Sequence, residues 1–201
     1  MIVARSTTLV EFAGYPGDGA NPAAGLVLDS AGNLYGTTEY GGSGYGCGDQ
    51  YYTIYCGTVF ELSPTLHGGW TETILYNFQG GTHGCAPVAP VILDNQGNVY
   101  GTTELGGIAG QPCYFGAGTV FKLTTRSNGV WTESVLYAFM GTTDGAIPLG
   151  GLIFDTMLAT FMVQSRTNGE TGRRSSSRKL DLHARNPLGH PKREAAAAFS
   201  N

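Results

Sequence analysis

Glu39 and Glu104 each follow a Gly-Thr-Thr triplet, and paired carboxylates are what acid–base cleavage of a glycosidic bond requires. The plainer reading is that residues recurring in a repeat do one structural job twice. Asp18, His83 and Asp144 stand at matching positions, each followed by glycine. Such a rim of polar groups could contact a ligand or Ca²⁺, yet Asp-Gly is also a favoured turn pair. Histidine at one of the three positions argues against a shared metal, and neither a metal nor a cofactor is expected. Tyr45, Tyr51, Tyr52 and Tyr55 crowd one Gly-rich stretch, and Tyr114 and Phe115 its counterpart. A phenol offers a flat apolar face with a polar tip, suited to sugar or protein contacts. Cys47, Cys56, Cys85 and Cys113 are separated by 8, 28 and 27 residues, which fits no zinc pattern. No Ser-His-Asp elbow, phosphate loop or dinucleotide fingerprint appears, so no catalytic residue is assigned.

The elements that must position these residues come from a tandem repeat. Gly32-Asn33-Leu34-Tyr35-Gly36-Thr37-Thr38-Glu39 recurs 65 residues later as Gly97 to Glu104. Gly57-Thr58-Val59-Phe60 recurs as Gly118 to Phe121, and Trp70 to Phe78 recurs as Trp131 to Phe139, both at an offset of 61. Pro22, Pro87 and Pro148 open a further block that runs to Asp29, Asp94 and Asp155. Four blocks in one order at nearly one spacing mark an internal repeat.

Each unit reads as four strands. The first is Ile74 to Phe78, matched by Val135 to Phe139 and Thr8 to Phe12. The second is Gly25 to Leu28, the third Leu34 to Thr38 and the fourth Thr58 to Leu62. β-Branched and aromatic content suits all four, and Asp-x-x-Gly-Asn supplies the tight turn between second and third. The expected architecture is all-β: tandem four-stranded antiparallel blades of an incomplete β-propeller, at 8–62, 70–125 and 131–155. The alternative is an open β-solenoid-like stack. In either arrangement the loops after first and third strands share one rim, which gathers all four cysteines. Three pairings are open, and Cys47–Cys56 with Cys85–Cys113 is favoured. Unpaired sheet edges invite self-association.

The blocks Asp-Gly-Ala-x-Pro, Asp-x-x-Gly-Asn-Leu-Tyr-Gly-Thr-Thr and Gly-Thr-Val-Phe-(Glu/Lys)-Leu resemble the GloVer (Gloeo/Verruco-type) bacterial tandem repeat over roughly residues 8–155. The resemblance implies a β-propeller-like array at the cell surface or outside the cell, with no established activity. Members usually carry more repeats, a signal peptide and often a C-terminal sorting signal. No basic-then-apolar leader opens this sequence, so cytoplasmic retention of this product is the alternative.

Composition sets the remaining limits. Of 201 residues, 32 are glycine, about twice ordinary usage, and only 13% are charged, which excludes a charge-driven disordered chain. No apolar run is long enough for a membrane helix. Residues 1–155 hold 12 acidic and 3 basic residues, whereas 156–201 hold 3 and 8. An acidic body argues against nucleic-acid binding. Glycine falls from 29 to 3 across the same boundary. The tail is therefore expected to be irregular. Back-translated and read one base earlier, residues 156–163 permit Asp-Ala-Gly-Asn-Leu-Tyr-Gly-Thr, the third-strand motif at its expected place. The tail then reads as a frameshifted third blade, and the chain as a fragment. The functional expectation is a non-enzymatic extracellular module that binds a protein or glycan through rim loops. The alternatives are a polysaccharide-active propeller enzyme using Glu39, Glu104, Asp18 or Asp144, or a non-functional remnant of a larger repeat protein.

Overall fold

The computed structural model describes residues 7–14, 16–44, 55–108, 116–141, 144–155, 160–169 and 172–181. Their strands run β1 (Gly19–Ala20), β2 (Val27–Leu28), β3 (Leu34–Thr38), β4 (Tyr40–Gly41), β5 (Thr58–Pro64) and β6 (Trp70–Asn77). A 3-10 turn, Gly81–His83, precedes β7 (Ile92–Leu93), β8 (Val99–Thr103), β9 (Thr119–Thr125) and β10 (Trp131–Ala138). The last strands are β11 (Ile153–Asp155), β12 (Thr160–Gly169) and β13 (Gly172–Asp181).

The chain is all-β. Two antiparallel four-stranded sheets, β2-β3-β5-β6 and β7-β8-β9-β10, have the same strand order, and β11-β12-β13 repeats its first three places. None of the sheets closes, as incomplete propeller-like blades require. The structure differs from the sequence in where a unit begins. The Trp-led strand read as the start of a unit is the last strand of the preceding sheet, so the sheets span 27–77 and 92–138. Connection length is the reason. The five residues between β5 and β6 close a turn, with the Thr65 N–H on the Gly69 carbonyl at 2.8 Å. Strands joined by so short a link pair with each other.

Residues 160–169 and 172–181, expected to be irregular, form the two paired strands of a β-hairpin, the first of which pairs with β11. Thr, Phe, Met and Val at 160–163 favour extended backbone, and the charge shift that marked the tail carries no information about strand formation. Val163 is buried in the second core cluster.

The repeated motifs are core chemistry. Gly36 pairs with Phe60 and Gly101 with Phe121. A Cβ on either glycine would sit 2.5 Å from the phenylalanine Cζ, so each ring lies over the bare backbone of its partner. The second threonine of Gly-Thr-Thr meets the threonine of Gly-Thr-Val-Phe across the ladder: Thr38 with Thr58 at 2.8 Å and Thr103 with Thr119 at 2.7 Å between hydroxyls. Buried hydroxyls need partners, and each pair supplies its own. The first threonine reaches the next unit. Thr37 Oγ1 donates to the Ala89 carbonyl at 3.3 Å and Thr102 Oγ1 to that of Gly150 at 3.4 Å. Tyr35, Val59, Leu75 and Phe78 of the first sheet share one core with Val91, Val99, Phe121 and Leu123 of the second. Val120 and Phe139 of the second share another with Leu152 and Val163. Core is thus shared between successive sheets.

Backbone strain also repeats. Asn21, Ala86 and Ile147, each just before the repeated proline, have φ of 58°, 55° and 54°. A side chain in this left-handed region costs roughly 1–2 kcal/mol. Ala86→Gly is expected to raise stability by about 0.5–1 kcal/mol, since glycine removes that cost but loses more chain entropy. A urea midpoint that fell instead would show that the Ala86 methyl packs better than its backbone is strained.

Candidate functional site: the rim loops

The loops leaving β3, β6, β8 and β10 emerge at one end of the sheets, where their backbones are joined. Phe78 N–H donates to the Gly57 carbonyl at 3.0 Å, and Phe139 N–H to that of Gly118 at 2.9 Å. Ala86 N–H donates to the Cys56 carbonyl at 3.0 Å, and Ile147 N–H to that of Ala117 at 2.8 Å. Cys85 and Leu105 exchange both backbone bonds. The strained residues lie in this seam: Glu39 N–H donates to the Asn21 carbonyl at 3.1 Å and Glu104 N–H to that of Ala86 at 2.9 Å. Strain held by surrounding hydrogen bonds is a feature of functional loops.

The structure places some of the rim candidates in detail. Asp18 accepts the Ala13 N–H on one oxygen and the Gly19 N–H, at 2.6 Å, on the other. Asp144 accepts the Met140 N–H and the Tyr137 hydroxyl, both at 2.9 Å. His83 has a half-exposed side chain, with Nδ1 2.6 Å from Glu133 Oε2. Tyr55 is half-buried. Cys56 and Cys85 are both buried in the core shared by the first two sheets. Tyr45, Tyr51, Tyr52, Tyr114, Phe115, Cys47 and Cys113 lie outside the described residues.

Glu39 accepts a bond from Asn21 Nδ2. It also hydrogen-bonds Tyr40, which with burial and the charges of Glu39 and Glu104 pushes the Tyr40 hydroxyl up to about 12. Both glutamates therefore act on one exposed tyrosine. Among the described residues, no group of three or more His, Cys, Asp or Glu is placed to hold a metal ion. Nor is any helix there long and apolar enough to cross a membrane.

Two functional candidates are absent from the sequence reading. Glu72 and Glu133 occupy the same place in successive Trp-Thr-Glu strands, and each has a buried Oε1 without a hydrogen-bond partner. Burial, then the charge of Asp18 and a hydrogen bond to it, push Glu72 up to about 7. Burial raises Glu133 above the ordinary carboxyl range, opposed by its bonds to His83 and Tyr76. The signal available was a carboxylate at the same repeat position in both strands.

The repeat that orders these loops has a family pattern. Its description is Gloeobacter/Verrucomicrobia repeat, and it matches residues 3–173. The chain belongs to the Gloeobacter/Verrucomicrobia repeat family. The match passes the composition boundary at 155 and takes in β12, so this repeat pattern includes the first strand of the C-terminal hairpin. No curated relative matches this Gloeobacter/Verrucomicrobia repeat chain.

Proposed function

We propose that this Gloeobacter/Verrucomicrobia repeat chain is a non-enzymatic extracellular binding module that contacts a protein or glycan through its rim loops. The observation that carries the reading is the backbone seam, which joins successive rim loops from Asn21 to Ile147. A preformed platform spares a ligand the cost of ordering loops. In sequence the Tyr-rich segments belong to the loops that follow β3 and β8, and aromatic side chains give contact area at low entropy cost.

The rim is further braced by disulfides Cys47–Cys56 and Cys85–Cys113, a reading supported by the lack of a free thiol at either described cysteine. Disulfides persist in oxidising compartments, which agrees with an extracellular site of action. The sheets belong to a larger propeller of which this chain is a fragment. Sequencing the coding DNA through codon 155 and beyond tests that part: another frame should continue the repeat.

The functional test is a glycan and protein-ectodomain panel read by calorimetry. Tyr51→Ala with Tyr52→Ala should weaken binding at least tenfold while the melting temperature stays unchanged. Binding that survives both changes would remove the rim from the account. A second reading rests on Glu39 and Glu104 converging on Tyr40: polysaccharide cleavage by that pair. Turnover of a polysaccharide that vanishes in Glu104→Gln would favour it over binding alone.

A further inference from the structure

Successive sheets cover one another in a fixed sense, and one triplet in each unit records it. Leu26-Val27-Leu28, Val91-Ile92-Leu93 and Leu152-Ile153-Phe154 stand directly before Asp29, Asp94 and Asp155. The first residue of the triplet faces the preceding sheet. Val91 is buried in the core shared with the first sheet, and Leu152 in the core shared with the second. Leu93 packs against the same core as Val91. The middle residue faces the following sheet: Val27 packs against the core shared with the second sheet, and Ile92 against that shared with the third.

On the first and third sheets the matching residues are uncovered. Leu26 is 44% exposed and Leu28 64%, although their counterparts Val91 and Leu93 are covered by a preceding sheet. Ile153 is 66% exposed, although its counterparts Val27 and Ile92 are covered by a following one. The first sheet thus presents the apolar face that takes a preceding sheet, and the third presents the face that takes a following sheet. Removing such surface from water favours association.

The backbone edges are complementary in the same sense. Each four-stranded sheet ends on a Trp-led strand, β6 or β10, whereas the third sheet stops at β13 among the described residues. The sequence has two tryptophans, Trp70 and Trp131, so no third Trp-led block occurs in it. Residues 7–14 are in the opposite situation. Thr8 to Phe12 match the Trp-led strand at Ile74 to Phe78, yet 7–14 belong to no strand. The Phe12 ring meets that of Phe60 at 4.9 Å and 61°, much as Phe78 meets Phe121 at 5.1 Å and 69°. Segment 7–14 therefore lies on the first sheet as the last strand of a preceding sheet would, without the other three strands.

We propose that a second copy of this chain supplies them. The third sheet of one copy docks its Ile153 face on the Leu26 and Leu28 face of the next, and residues 7–14 of that next copy add to β13 as its fourth strand. Strand addition satisfies the open edge of β13. The occupant is read from the chain itself, because the contact between copies repeats the contact that joins successive sheets within one copy. Such an interface is head-to-tail, so its repetition closes a ring or extends a filament. It uses none of the Tyr-rich rim segments and holds whether or not the rim binds a ligand.

The test is sedimentation velocity on the full chain from about 1 to about 100 μM, where an interface of modest affinity fills. The wild type should sediment above its 21.1 kDa monomer mass and grow with concentration. Leu26→Glu spoils one face and Ile153→Glu the other. A charge buried without a partner should weaken self-association about a hundredfold, so each variant alone should stay monomeric. Mixed in equal amounts, they retain one intact junction and should form a species of twice the monomer mass and no larger. Leu28→Glu, at a more exposed residue, should behave as Leu26→Glu does, and near-UV circular dichroism confirms that each variant keeps its packing. With the Ile153→Glu chain ¹⁵N-labelled, hydrogen exchange of the mixture should show about tenfold more protection in its 7–14 peptides and none in those of the unlabelled chain. A wild type monomeric at the highest concentration would overturn the proposal. So would either variant assembling alone, a mixture that stays monomeric, or a mixed dimer in which the labelled 7–14 gains no protection.

Discussion

Phe121→Ala is expected to cost about 3–5 kcal/mol, the largest effect of any single substitution considered. Its ring is fully buried and lies 5.1 Å from that of Phe78 at 69°, an edge-to-face contact across two sheets. It also covers Gly101. Alanine would open a cavity where both sheets and the glycine backbone meet, and β8 and β9 cannot close it without breaking their ladder. The equivalent Phe60 meets Phe12 of the N-terminal segment 7–14, which belongs to no strand, so Phe60→Ala should cost less. Urea unfolding checks the pair. A loss under 1 kcal/mol for Phe121→Ala would contradict a core shared by successive sheets.

Asp94→Ala is expected to cost about 3 kcal/mol, because one carboxylate organises a whole turn. It accepts the backbone N–H of Gln96 and Asn98, both at 2.9 Å, the Asn98 side chain at 2.7 Å and the Tyr100 hydroxyl at 2.9 Å. Burial alone would raise the Asp94 carboxyl. The Asn98, Tyr100 and Gln96 bonds outweigh it and hold the group below its ordinary value of 3.8. Asp29 is lowered in the same way by Asn33, Ala31 and Tyr35. A depressed carboxyl stabilises above its unfolded value, and the contribution is lost as pH falls through the folded one. The melting temperature should therefore drop steeply below about pH 4, and the Asp94→Ala curve should be shallower there. Equal acid slopes in wild type and variant would show that the turn is held by its backbone alone.

That turn also explains how legible the fold was. Asp-x-x-Gly-Asn-(Leu/Val)-Tyr repeats because aspartate, asparagine and tyrosine close one hydrogen-bonded ring, so the motif reports structure directly. The Gly-Thr-Thr and Gly-Thr-Val-Phe motifs were visible separately, but their pairing as Thr38 with Thr58 needs strand register, which no motif states. Unit phasing went astray because a circular shift of a repeat leaves its period unchanged. Only the turn at Thr65–Gly69 against the longer link to β7 distinguishes the two phases. The hairpin strands at 160–169 and 172–181 were hidden for another reason. No asparagine follows Asp155 at the spacing of Asn33 and Asn98, and the pairing of Phe154 with Phe161 leaves one residue more than that of Leu93 with Val99. A motif search stops where the motif does, although a strand can continue.

The candidate site was legible in place and not in partnership. Loop order put Asp18, His83 and Asp144 on the rim, and repeat position identified them as equivalent. Their partners differ because burial decides them. Glu72 and Glu133 look like solvent-facing residues of alternating strands, and only the packing of β10 against β6 and the 3-10 turn makes Glu133 an interior carboxylate. A sequence states charge but not solvation.

The central claim is that rim loops and sheets form one platform. Native-state hydrogen exchange on residue-resolved amides tests it most directly. The account predicts that Phe78, Ala86, Leu105, Phe139 and Ile147, whose N–H groups make the seam, exchange with one common free energy equal to that of strands β8 and β9. If those five amides instead exchange at loop rates while β8 and β9 stay protected, the rim is a set of independent loops, and the platform does not exist.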